Sequence, residues 1–110
     1  MKQNLETMKC VACTGATPVL SRKSISMLLK RVPGWRFTKG KIKREFILKN
    51  FKGALDVVNR IGAIAEHEGH HPDIFMHDWN KVTVTLYTHA INRLSENDFI
   101  VAAKINALKV

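Results

Sequence analysis

The sequence predicts an α+β domain: a four-stranded antiparallel sheet with helices packed on one face. Three observations carry that expectation. The hydrophobic period switches between 3.6 and 2 in the order helix, strand, strand, helix, strand, strand, helix. Each strand pair is separated by only a few turn-forming residues, so each reads as a hairpin, and hairpins pair antiparallel. A chain of 110 residues is enough for one core and too short for two.

Residues 1–18 read as a flexible arm, with Gly15, Pro18 and little periodicity, ahead of a single domain over 19–110. Ser21 or Ser24 can cap a first helix running to about Val32, with Leu20, Met27 and Leu28 as its apolar stripe. Pro33-Gly34 breaks it. Trp35 and Phe37 alternate with Arg36 and Thr38 as a strand. After the turn Lys39-Gly40, Ile42, Phe46 and Leu48 fall on one parity, and Lys41, Lys43, Glu45 and Lys49 on the other. Phe51, Ala54, Leu55, Val58, Ile61, Gly62 and Ala65 recur at three and four, which is a helix of roughly five turns ending near Gly69, ahead of Pro72. Ile74–Met76 is a weak strand, Asp78-Trp79-Asn80 a turn, and Lys81–Thr88 the clearest strand in the chain. Ser95 caps a last helix with Glu96 and Asp98 in its first turn and Phe99, Ala102, Ala103 and Ile105 on its buried side.

Composition excludes several classes. Apolar residues at 45% and charged residues at 25% are an ordinary globular mix, neither disordered nor collagen-like. Two cysteines cannot build a disulfide framework. No apolar run approaches a membrane span and no apolar leader follows Met1, so a reducing cytoplasmic setting is expected. The net charge of +9 is unevenly placed. Residues 1–50 hold 12 Lys/Arg against 2 acids, whereas residues 51–110 hold 6 against 7. That raises nucleic-acid binding, but no recognition module accompanies it, and a solvated basic surface is favoured.

Four of the five histidines, His67, His70, His71 and His77, lie within 11 residues; the fifth, His89, ends the strongest strand. A single histidine is usually structural. This density, at a helix end that must stop before Pro72, points instead to proton transfer near neutral pH. His67-Glu68-Gly69-His70-His71 also fits the zinc-protease pattern H-E-x-x-H. That chemistry needs both histidines on one continuous helix and a third ligand, and Gly69 and Pro72 argue against the helix. Cys10-x-x-Cys13 could join histidines around zinc, though reduced thiols without metal are favoured.

Glu66-His67-Glu68-Gly69-His70-His71-Pro72-Asp73, then Trp79-Asn80-Lys81-Val82-Thr83-Val84-Thr85-Leu86-Tyr87-Thr88-His89, then Leu94-Ser95-Glu96-Asn97-Asp98, resembles the pterin-4a-carbinolamine dehydratase family. The similarity runs in order from Pro33-Gly34-Trp35 to about Ile105, and the arm with Cys10-Val11-Ala12-Cys13 is similar to that of plant and microbial members. The resemblance implies the α+β fold already reached, a homodimer or homotetramer, and no metal or cofactor. It implies loss of water from 4a-hydroxytetrahydrobiopterin, leaving quinonoid dihydropterin. That step would recycle the pterin for aromatic amino acid hydroxylases, which become functional partners.

By the same resemblance His70, His71 and His89 are the catalytic set. His70 and His89 would carry most of the proton transfer, and His71 would meet the 4a-hydroxyl. Pro72 would fix the backbone after the histidine pair. Thr88 and the backbone at Ala90 would hydrogen-bond the pterin edge. Glu66, one turn before His70, can orient an imidazole or meet a ring nitrogen of the substrate. Asp98 resembles the family's carboxylate at the helix start. Trp35 would wall the pocket or pack in the core, and Trp79 would serve the turn and packing.

The chain departs from the animal pattern at Gly69, at Asn97 and in the longer spacing between Pro72 and Trp79. All three agree with the plant and microbial branch. Animal members also bind a dimeric transcription factor, so the alternative is an interaction module with little catalysis and some nuclear presence. The complete histidine set argues for the enzyme.

Overall fold

The computed structural model describes residues 4–109. After a 3-10 turn at Leu5–Thr7 its elements run α1 (Arg22–Leu29), β1 (Arg36–Thr38), β2 (Lys41–Ile47), α2 (Phe51–Glu68), β3 (Asp73–His77), β4 (Lys81–Leu86) and α3 (Glu96–Asn106). Order and number are those the periodicity predicts. The strands form one sheet in the order β1-β2-β4-β3, with every pair antiparallel. Both hairpins are present, and pairing of β2 with β4 joins them, so α2 crosses over to deliver the chain to the edge strand β3. Among the described residues no helix is long and apolar enough to cross a membrane.

One sheet face makes the core. Val82, Val84 and Leu86 of β4 are buried, and the register Ile42↔Leu86 and Phe46↔Val82 sets the apolar residues of β2 beside them. α2 contributes Ala54, Val57, Ile61 and Ala65, and α3 contributes Phe99 to Ala103 and Ile105. Each fully buried Val, Leu, Ile or Phe among them contributes roughly 1.5–3 kcal/mol. On the opposite face the register aligns Arg36, Lys43, Thr85 and Asp73 across all four strands, so part of the basic surplus is a solvated sheet surface.

The structure corrects several local expectations. On α2 the buried line is 54-57-61-65, and Phe51 and Leu55 are exposed. The apolar stripe is wide, and periodicity alone does not say which of its edges meets the sheet. On α1 the buried residue is Ile25, while Met27 faces outward, and the helix stops at Leu29 rather than Val32. Trp79 serves the turn but does not pack: Asp78 and Trp79 have φ values of 47° and 55°, which leaves the indole 62% exposed.

The arm is also more ordered than its composition suggests. Leu5 is buried in the core, and its 3-10 turn packs on α3. The cause lies in α3, which is apolar through Phe99-Ile100-Val101-Ala102-Ala103 and therefore needs cover on more than one side.

Trp35 belongs to the core rather than to a pocket wall. Its Nε1–H donates to Asn106 Oδ1 (2.9 Å), the Arg44 guanidinium donates to the same oxygen, and Asn106 Nδ2 donates to the Pro33 carbonyl (2.9 Å). Gly34, at φ 91°, lets the chain pass this knot, since a Cβ there would lie 3.2 Å from Arg44 Nε. Asn106→Ala strands the Trp35 indole N–H and is expected to cost about 1–3 kcal/mol, read as a lower urea midpoint with an earlier loss of tryptophan fluorescence.

Candidate active site

Three chain ends converge here: the C-terminus of α2, the segment after β4 and the N-terminus of α3. α2 begins at Asn50, whose side chain accepts from the Gly53 N–H, and it ends at Gly69 in the left-handed conformation (φ 64°, ψ 29°). The His70 N–H then turns back to the Ala65 carbonyl (3.2 Å). This reversal separates the adjacent histidines. His70 is 5% exposed and points inward, whereas the His71 side chain is 59% exposed. It also removes the helix that H-E-x-x-H would need, because His71 lies beyond the αL residue. Among the described residues no three His, Cys, Asp or Glu side chains converge as a metal site.

Asp98 is the centre of the arrangement. It is fully buried, in the first turn of α3, and both carboxylate oxygens are used. Oδ2 accepts from the Ser95 N–H (2.9 Å) and from the Thr88 hydroxyl (2.8 Å), and the Thr88 and Ser95 hydroxyls bond each other (2.6 Å). Oδ1 lies 2.6 Å from His70 Nε2. A carboxylate accepts only, so Nε2 carries the proton of the neutral ring. Nδ1 is thereby the nitrogen left to accept a proton, and it faces Cys13 Sγ at 3.8 Å.

Around this buried pair lie more open groups. His71 Nε2 meets Glu66 Oε1 at 2.8 Å, so the imidazole that Glu66 orients is that of His71 rather than His70. Both partners are largely solvent-exposed, and such pairs contribute little to stability. Thr88 pairs with Arg93 and closes the turn that carries His89 and Ala90, both exposed. The His89 ring stacks on Tyr87 with centroids 4.3 Å apart. Pro72 is half-buried between the histidine pair and β3. His77 lies apart on the sheet, bonded to Asp78 and Thr83.

Sequence reasoning missed four participants. Ser95 was expected as a helix cap only, yet its N–H and hydroxyl both belong to the Asp98 network. Ser-x-x-Asp ahead of an apolar run is the signal for a carboxylate folded back on the cap. Asn97, Glu68 and Cys13 stood in the sequence as a departure from the animal pattern, part of an H-E-x-x-H match and half of a possible zinc pair, and their contacts through the arm are what the structure adds. Asn97 Oδ1 accepts the Val11 N–H (3.1 Å), and its Nδ2 donates to the Val11 carbonyl (2.7 Å) and to Cys13 Sγ (3.0 Å). Glu68 Oε1 accepts the Cys10 N–H (2.9 Å). Burial pushes the Glu68 carboxyl up, but the Cys10 N–H, Lys104 and His67 together hold it below its ordinary value. Burial, and then the Glu68 charge, push the Cys10 thiol up to about 12.

The fold and site thus define a small α+β protein built around a buried, carboxylate-anchored histidine. Comparison with known proteins names the group. The model of the pterin 4 alpha carbinolamine dehydratase family matches residues 18–108, and the chain belongs to that family. It is 43% identical over 112 residues to an Arabidopsis thaliana protein named pterin-4-alpha-carbinolamine dehydratase 2, mitochondrial, covering 97% of this chain and 60% of that one. It is 40% identical over 105 residues to a Rubrobacter xylanophilus protein provisionally named pterin-4-alpha-carbinolamine dehydratase, covering 94% and 97%. A crystal structure of a transcriptional coactivator/pterin dehydratase from Brucella melitensis superposes with a TM-score of 0.77 at 33% identity, over 82% of this chain and 97% of that one. A pterin dehydratase-like protein described as a RuBisCO assembly factor shares the fold, with a TM-score of 0.57 at 22% identity, over 67% and 87%.

The lowered Glu68 carboxyl makes arm docking pH-dependent. The unfolded state binds the proton more readily than the folded state, so Glu68 contributes stability above its unfolded value that is lost as pH falls through the folded one. Urea midpoints of the wild type and Glu68→Gln between pH 7 and pH 3 are expected to converge towards acid, with the wild type the more stable at neutrality.

Proposed function

We propose that the chain dehydrates a 4a-hydroxytetrahydropterin to the quinonoid dihydropterin by histidine general acid/base catalysis. The observation that carries this reading is the shared carboxylate. Asp98 holds His70 by one oxygen and Thr88, the residue before His89, by the other. The two histidines are thus tied to one buried anchor. The elimination needs a proton delivered to the leaving 4a-hydroxyl and one withdrawn from ring nitrogen N5, which two imidazoles can supply. In this reading His70 and His89 make the two transfers. His71, oriented by Glu66, meets the hydroxyl as a second donor. The turn at Thr88–Ala90 offers backbone groups to the pterin edge, and Pro72 sets the direction in which the histidine pair leaves the helix.

Membership of the family and the names of its relatives support the substrate class. The reading carries with it an aromatic amino acid hydroxylase as the source of the hydroxylated pterin, and a homodimer or homotetramer in a cytoplasmic setting. A second reading, a module that stabilises a transcription-factor dimer, draws support from the coactivator in the name of the Brucella structure and from Phe51 and Leu55, exposed on α2.

An absorbance assay of 4a-hydroxytetrahydropterin dehydration separates the two. The dehydratase is expected to accelerate the reaction, and His70→Ala or His89→Ala to lower the rate roughly 10²–10⁴-fold. Wild-type rates in both variants refute the site assignment; no acceleration by the wild type leaves the interaction module.

A further inference from the structure

We propose that Cys13 is a positioning residue for His70: the arm holds its thiol against Nδ1, the nitrogen that the Asp98 bond leaves free to accept a proton. The proposal rests on the reading of His70 as an acid–base group, but the contact itself can be tested without turnover.

The ring has two nitrogens and each has one neighbour. Nε2 is committed to Asp98 Oδ1 at 2.6 Å, and Nδ1 faces Cys13 Sγ at 3.8 Å, within reach of a weak sulfur hydrogen bond. The sulfur is not a passing neighbour, because two buried polar side chains hold the segment that bears it. Asn97, 3% exposed, grips Val11 through both its amide oxygen and its amide nitrogen, and sends its remaining N–H into Cys13 Sγ at 3.0 Å. Glu68, with 3% of its side chain exposed, accepts the Cys10 N–H, while the Cys10 thiol donates towards the Asn97 carbonyl (3.7 Å). A buried amide and a buried carboxylate are costly unless paired. Both find their partners in residues 10–13.

The chemistry follows from sulfur's dual character. A thiol is a weak donor and a weak acceptor. With the Asn97 N–H on a sulfur lone pair, the S–H has two acceptors at 3.8 Å, the Val11 carbonyl and Nδ1 of the neutral ring, and the carbonyl already takes the Asn97 amide at 2.7 Å, which leaves Nδ1 as the open one. When Nδ1 is protonated, the same sulfur accepts from it. The ring can therefore change protonation state without rotating away from Asp98. The charged and titratable neighbours are otherwise accounted for: Glu68 is paired with Lys104 and His67, and His71 with Glu66.

Long-range ¹H–¹⁵N NMR of the ring nitrogens tests the contact directly. In the wild type, His70 is expected to show the Nε2-protonated tautomer; a ring protonated on Nδ1 overturns the proposal without any variant. In Cys13→Ala the His70 Nδ1 resonance is expected to move downfield, and Cys13→Ser to restore part of the wild-type position. Cys10→Ser, which keeps a donor for the Asn97 carbonyl, is expected to leave the resonance unmoved. An Nδ1 resonance unchanged in Cys13→Ala also overturns the proposal. Kinetics separate this from the functional reading. Cys13→Ala is expected to lower kcat about 10-fold with KM within about twofold, since a misplaced catalytic group reduces turnover more than binding, and Cys13→Ser to recover part of the loss. A moved resonance with unchanged kcat overturns the positioning role of Cys13, while the effect of His70→Ala on the rate decides separately whether His70 takes part in the reaction.

Discussion

Asp98 carries a charge with no exposed surface, and a buried carboxylate persists only if each oxygen is met by donors. The donors come from three places: the Ser95 N–H at the start of α3, the Thr88 hydroxyl after β4 and the His70 ring after α2. The first turn of α3 adds its own favourable dipole for an anion. Leaving any one donor out exposes the others to the full cost of an incompletely paired charge, so the three segments are fixed together. α2 has to release the chain at Gly69, β4 has to run on to Thr88, and α3 has to start at Ser95.

The sheet order makes this meeting achievable. β4 is an interior strand between β2 and β3, so the chain that leaves it at Leu86 is already under the helical layer. α2 and α3 lie on the same face and pack on each other, which brings the end of one beside the beginning of the other. Two kinds of group result. His70 and Asp98 are buried and bonded to each other, while His71, Glu66 and His89 are exposed to solvent.

Much of this was legible in the sequence because its causes are local. Period-2 alternation in Val82-Thr83-Val84-Thr85-Leu86 survives because one face is buried and the other wet. Ser21, Asn50 and Ser95 mark helix starts through their own backbone bonds, and Gly69 marks an end because the αL conformation suits glycine. The density of histidines near the end of α2 was visible directly in the sequence. What escaped was non-local. Nothing in the periodicity of α2 distinguishes Val57 inward from Leu55 outward, since sheet packing decides it. The Cys10-x-x-Cys13 pair suggested histidine partners around zinc, but nothing near Cys13 singles out His70, 57 residues away, as a partner without metal. The arm's order was foreshadowed only indirectly, by the five consecutive apolar residues of α3 that one sheet cannot cover.

The charge distribution also fits a site closed by the arm. The first fifty residues carry the whole positive surplus, yet residues 10–21 contain no charged side chain, and this stretch includes Cys13, which faces His70. A lysine or arginine there would compete with His70 for the carboxylate and, from a short distance at low dielectric, disfavour a protonated ring. A neutral segment avoids both effects. The cations of this half are kept to groups such as Arg36 and Lys43 on the far face of the sheet, where water screens them. The basic character that first suggests a polyanionic ligand is thus laid out away from Asp98, whose carboxylate is hydrogen-bonded to Ser95, Thr88 and His70.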